Sequence, residues 1–168
     1  AGLTFPAYGV PSLEAERGTV AEGLDVPGLG DPNHPDAMAL FKVDLSSGRV
    51  DRKIKTGRLV GELRSGIRTV GGASPAAVAV GTRHVWVANA TNDTVSVVDA
   101  QSGEIDDEIA ITVPGLEGLR GVVPFGVALA PDDARLYVAC AGLNAVAVID
   151  TATRRVKEIG RRAPDETG

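Results

Sequence analysis

The sequence predicts an all-β protein built from β-propeller blades, each a four-stranded antiparallel sheet. Three observations carry this prediction. One stretch occurs twice: residues 85–103 read VWVANATNDTVSVVDAQSG, and residues 136–154 read LYVACAGLNAVAVIDTATR. Trp86 aligns with Tyr137, Val97 with Val148, Asp99 with Asp150, and Asn92 with Asn144 after a slip of one residue. The aspartates set a period of 51 residues (150 − 99), which suits one blade of a repeat rather than part of a continuous core. The apolar 43% of the chain is mostly Val, Ala, Leu and Ile, with 4% aromatic residues, as sheets packed closely on both faces require.

Residues 1–37 contain Gly, Pro, Asp and Asn throughout and are expected to form an irregular lead-in. AMALFKVDLSSGRVDRKIK then predicts two strands, 38–44 and 49–55, around the turn LSSG. Asp44 and Gly48 match Asp99 and Gly103, so residues 38–55 are the last two strands of a first blade. A crossover loop is expected over 56–74. The second blade, 75–110, contains AAVAV, HVWVAN, TVSVVD and EIDDEIA. A second crossover covers 111–124. The third blade, 125–160, contains FGVALA, RLYVAC, AVAVID and RVKEIG, and residues 161–168 form a tail.

Strand order in an antiparallel meander sorts the connections onto two faces. The first-to-second and third-to-fourth turns of each blade share one face, and here they are short: 81–83, 131–134, LSSG, AQSG and TATR. The crossovers 56–74 and 111–124 lie on the other face, with the turns Asn89–Asp93 and Ala141–Asn144. Loops carried on a rigid scaffold are where binding residues concentrate. The candidate binding residues on this long-loop face are Asn89, Asn92, Asp93, Arg120, Phe125 and Asn144.

These motifs resemble the Tyr-Val-Thr-Asn (YVTN) family of β-propeller repeats, in which a YVxN-like strand is followed by N-x-V-x-V-I-D and T-x-T/S-G. The resemblance covers about residues 75–160 well and 38–55 in part. The sequence departs from it where Trp86 and Ala88 replace Tyr and Thr, and where Ala139-Cys140 replaces Thr-Asn. GGASPAAVAV, ITVPGLEGLRGVVPFGVAL and LYVACAGLNAVAVIDTATRRV further resemble a bacterial subgroup whose propeller precedes an alkaline-phosphatase-like domain. That resemblance implies a periplasmic or secreted setting and a phosphatase-like domain outside this chain.

Closed propellers have about four to eight blades. The 168 residues hold about two and a half blades plus the lead-in, so the chain is expected to belong to a larger, seven-bladed ring. An open stack would bare two apolar sheet faces, larger patches than monomers tolerate. The expected partner is therefore the remainder of the ring, as further sequence, a cleaved partner chain or further copies.

Other constellations carry less. Asp31, Asn33, His34 and Asp36 in DPNHPD could suggest a metal, but the flanking prolines favour a turn. His84 has no second His or Cys nearby in sequence. Asp99 and Asp150 recur before turn residues and are expected to cap them. Solvation accounts simply for Asp106, Asp107, Asp132 and Asp133. Cys140 is the lone cysteine, which excludes an internal disulfide and suits a small buried hydrophobe.

The net charge of −5 argues against nucleic-acid binding, and Arg154, Arg155, Lys157, Arg161 and Arg162 read as a solvated edge and tail. No apolar run approaches the ~18 residues of a membrane helix. No signal peptide, nucleophile elbow or phosphate loop is evident. No catalytic residue, metal ligand or cofactor is expected. The expected function is a non-catalytic scaffold or recognition module. The alternatives are a metal-dependent lactonase-like hydrolase and a structural surface or filament component. The innermost strands AAVAV and FGVALA bring no carboxylate to the first of these.

Overall fold

The computed structural model describes residues 2–7, 37–64, 66–69 and 72–161. The DPNHPD segment and residues 162–168 lie outside the described residues. Three antiparallel sheets stand side by side. The first contains β1 (Gly2–Ala7), β2 (Ala39–Asp44) and β3 (Val50–Lys55), hydrogen-bonded in that order. A small hairpin, β4 (Leu63–Arg64) and β5 (Ile67–Arg68), projects from the first crossover. The second sheet runs β6 (Pro75–Val80), β7 (His84–Asn89), β8 (Thr94–Asp99), β9 (Ile105–Ala110). The third runs β10 (Pro124–Leu129), β11 (Arg135–Cys140), β12 (Ala145–Asp150), β13 (Arg155–Arg161).

Both complete sheets are nearest-neighbour meanders, the connectivity of propeller blades. β10 packs beside β6 and β7, and β1 packs beside β6. That places β1 in the second-strand position of the first blade, where the sequence suggested only irregular lead-in. Its pairing partner β2 begins 32 residues after β1 ends (39 − 7), so the strand is specified by the tertiary edge it joins.

Each blade carries a bulge at the same point of its outermost pair, at Asp51, Asp106 and Lys157. The innermost pairs of blades two and three bulge at Ala76 and Phe125. Such repeated irregularities re-aim side chains without breaking the ladder.

The turn aspartates explain themselves. Asp44 Oδ1 accepts hydrogen bonds from both Ser46 and Ser47, Asp99 Oδ1 from the Gln101 and Ser102 amides, and Asp150 Oδ1 from the Thr153 amide and hydroxyl. These bonds favour the carboxylate form. They hold Asp44 down at about 2 and lower Asp99 and Asp150 as well.

The core lies between blades. Leu40 and Ile54 of the first meet Val85, Val87 and Val98 of the second. Trp86, Val95, Val97 and Ile109 of the second meet Leu136, Val138, Ala147 and Ile149 of the third. Each fully buried side chain of this kind contributes about 1.5–3 kcal/mol relative to exposure.

Four of the aspartates expected to be merely solvated do not behave alike. The bulge turns Asp106 onto His84 Nε2 at 3.0 Å and Arg154 at 3.3 Å, and Arg154 also reaches Asp107 at 3.7 Å. Asp133 Oδ2 accepts from the Thr82 amide at 2.7 Å. The Arg154 and Thr82 contacts tie blade two to blade three on the short-turn face, the His84 contact stays within blade two, and only Asp132 serves just its own turn. Arg154 thus leaves the basic edge to make an interblade ion pair.

Candidate functional site

The long-loop face is built where each crossover passes over the second-to-third turn of the next blade. In blade two that turn is residues 90–93. Asn92 Oδ1 accepts from the Arg58 amide at 2.7 Å, and its Nδ2 donates to the Gly72 carbonyl at 3.3 Å, so one side chain holds both ends of the first crossover. Asp93 holds the far end of the second crossover with its side chain: the two carboxylate oxygens accept from the Gly121 and Val123 amides, each at 2.9 Å. Both residues are buried.

Gly57 lies against this junction with φ +64°. A Cβ there would stand 2.5 Å from Ala73 Cβ and 2.6 Å from Asn92 Oδ1, so the close approach requires glycine. Asn89 lies behind it, fully buried, donating to the Thr94 and Ser96 hydroxyls. The Asn89 Oδ1 atom is buried without a hydrogen-bond partner in the described structure.

Between the two crossovers opens a cavity of about 110 Å³, lined chiefly by Arg58, Arg68, Arg120, Thr69, Thr91 and Asp93. Arg58 reaches it from the start of the first crossover, anchored by a 2.7 Å bond from its Nε to Glu108 on β9. Arg68 comes from the β4–β5 hairpin and donates to the Gly61 carbonyl at 3.3 Å. Arg120 comes from the second crossover, next to the Gly121 amide that Asp93 receives.

Of the six residues singled out in the sequence, the structure brings Asn92, Asp93 and Arg120 to this cavity. Asn89 is a buried part of the framework. Phe125, the bulge residue of β10, is 61% exposed and stands apart from the cavity. Asn144 borders a separate 290 Å³ depression with Cys140 and Val146 at the end of blade three. There burial pushes the Cys140 thiol above its ordinary value.

β8 starts at Thr94 and β12 at Ala145, again 51 residues apart (145 − 94), so the true equivalent of Asn144 is Asp93 and no slip is needed. Both take the left-handed conformation, φ 54° and 48°. Sequence reasoning missed Arg58, Arg68, Thr69 and Thr91. The available signal was the recurrence of arginine in RLVGELRSGIRT, a loop within an acidic chain. Among the described residues, no three His, Cys, Asp or Glu side chains converge as a metal site would require. No described helix is long and apolar enough to cross a membrane.

Solved structures resemble this fold. Hydrazine synthase of Kuenenia stuttgartiensis superposes with TM-score 0.57 at 26% identity, over 79% of this chain and 34% of that one. Virginiamycin B lyase from Staphylococcus aureus gives 0.56 at 16% identity, over 76% and 35%. A catalytically inactive form of that lyase with quinupristin gives 0.57 at 16%, over 78% and 37%. The chain has the fold of β-propeller blades. It spans about a third of the length of the structures it matches. No family model and no curated protein matches it, so the YVTN likeness stays a resemblance of motifs.

Proposed function

We propose that this chain is a non-catalytic scaffold and recognition module of a larger propeller. Further blade structure covers its third blade, and its long-loop face contacts a partner domain or chain. The observation that carries the reading is a difference between equivalent positions. Trp86 and Val95 are 2% and 0% exposed in blade two; Tyr137 and Val146 are 39% and 44% exposed in blade three. A face whose repeat-mate lies fully buried against a neighbouring blade is shaped to receive another blade.

Loop placement supports the second half of the reading, since both crossovers and their buried anchors gather on one face. The motif resemblance supports a phosphatase-like domain as that partner, in a bacterial periplasmic or secreted setting.

The test is the mass of the native particle, with the identity of every chain in it. The expected result is an assembly larger than 17.2 kDa or a longer chain containing this one. A stable, monodisperse 17.2 kDa monomer overturns the reading.

A further inference from the structure

The cavity between the crossovers has a chemistry of its own. Three arginines from three separate chain segments line it: residue 58 at the first crossover's start, residue 68 on the hairpin and residue 120 on the second crossover. Such convergence runs against the composition, for the chain as a whole carries −5. Around the cavity the balance reverses. Three guanidinium groups face Asp93 and the Glu108 partner of Arg58, which leaves +1 (3 − 2).

The Asp93 carboxylate keeps its charge, already counted in that balance, while its two oxygens are engaged by the Gly121 and Val123 backbone amides. A guanidinium has five N–H donors, so an arginine fixed through one nitrogen still presents others in a rigid fork. Arg58 is fixed through Nε and Arg68 through one terminal nitrogen, which orients both at small entropic cost to a ligand. The Thr69 and Thr91 hydroxyls add neutral donors to the wall.

We propose that this cavity binds a single phosphate group. Its volume suits one tetrahedral oxyanion, and paired arginine forks match phosphate oxygens better than lysine ammoniums do. The group comes either as inorganic phosphate or as a phosphomonoester on a larger molecule. This deepens the reading of the long-loop face as the recognition surface and rests on it.

The experiment titrates the full chain with inorganic phosphate and, separately, with glycerol 3-phosphate, at constant ionic strength set by chloride. Binding is followed by calorimetry. The expected result is saturable one-to-one binding of at least one probe. Arg68→Gln and Arg120→Gln should each weaken it about tenfold.

Both side chains are exposed, so the variants keep their fold, which circular dichroism checks. Binding of both probes identifies the free ion as a sufficient ligand; binding of the monoester alone identifies the ester as the source. No saturable binding of either probe overturns the proposal, as does binding that the double variant leaves unchanged. Failure here alongside a native particle larger than the monomer removes the phosphate site alone. Phosphate binding by a 17.2 kDa monomer removes the assembly reading alone.

Discussion

Blades two and three share a strand pattern, turn aspartates and bulges, yet they live in different surroundings. β7 and β8 are buried along nearly their whole length, whereas β11 alternates exposed and buried, residue by residue. Val85 and Val87 correspond to Leu136 and Val138, and all four are buried against the preceding blade. Trp86 and Ala88 correspond to Tyr137 and Ala139, and here the equivalence of environment ends. The same pattern is thus half used in blade three.

The other end of the stack is different again. Ala39 and Phe41 of blade one, which do not face blade two, are nonetheless buried. Two bare faces were expected, and the described residues show one. The apolar surface open to a further blade is therefore directional.

The largest test of this comparison is a pair of truncations. Trp86→Ala removes a fully buried indole from the interblade core and should cost about 3–5 kcal/mol in urea unfolding. Tyr137→Ala at the equivalent, half-open position should cost less than about 1 kcal/mol in the free chain. In an assembled particle Tyr137→Asp should instead disrupt association, read from native mass. Equal costs for the two alanine variants in the free chain would break the comparison.

A smaller contrast separates the two left-handed turn residues. Asp93→Ala strands the Gly121 and Val123 amides and should cost about 2–3 kcal/mol. Asn144→Ala loses only a residue tolerant of positive φ and should cost about 1 kcal/mol. Unfolding curves decide it. Asp93→Asn, which keeps one acceptor oxygen, should recover part of the loss.

The smallest effect lies at the turns that all three blades share. Asp44, held at about 2 against an ordinary value of 3.8, binds protons less readily when folded. Its stabilising contribution is therefore complete above about pH 4 and is lost as the pH falls toward about 2. Asp99 and Asp150 are shifted in the same direction. Replacing all three by Asn should flatten the acid side of the stability profile, measured by thermal unfolding from pH 5 to about 2. An unchanged slope would mean that these turn bonds persist in the unfolded chain.

Much of the fold was legible because its signals are local. Alternating Val-rich runs and the Asp-containing turns placed β7, β8, β11 and β12 at the residues where they occur. β1 was not legible, since its six residues gain strand character only from pairing with β2. The hairpin carrying Arg68 was hidden in a loop for a related reason: two-residue strands leave no periodicity to detect. Half of the candidate site was visible as Asn92, Asp93 and Arg120. Its other cationic half, Arg58 and Arg68, comes from a segment roughly half a repeat away along the chain.

By itself the sequence determined the blades: their period, strand positions, capped turns, and the face on which the long connections gather. Those follow from interactions within a few residues, where side-chain alternation and turn chemistry act directly. Only the tertiary structure decided which copy of the repeat is enclosed, which aspartates bridge blades, and that three arginines meet at one cavity. Such contacts join residues about 50 positions or more apart, such as Arg58 with Glu108 and His84 with Arg154. No local pattern encodes them, because they exist only once one blade has stacked on the next.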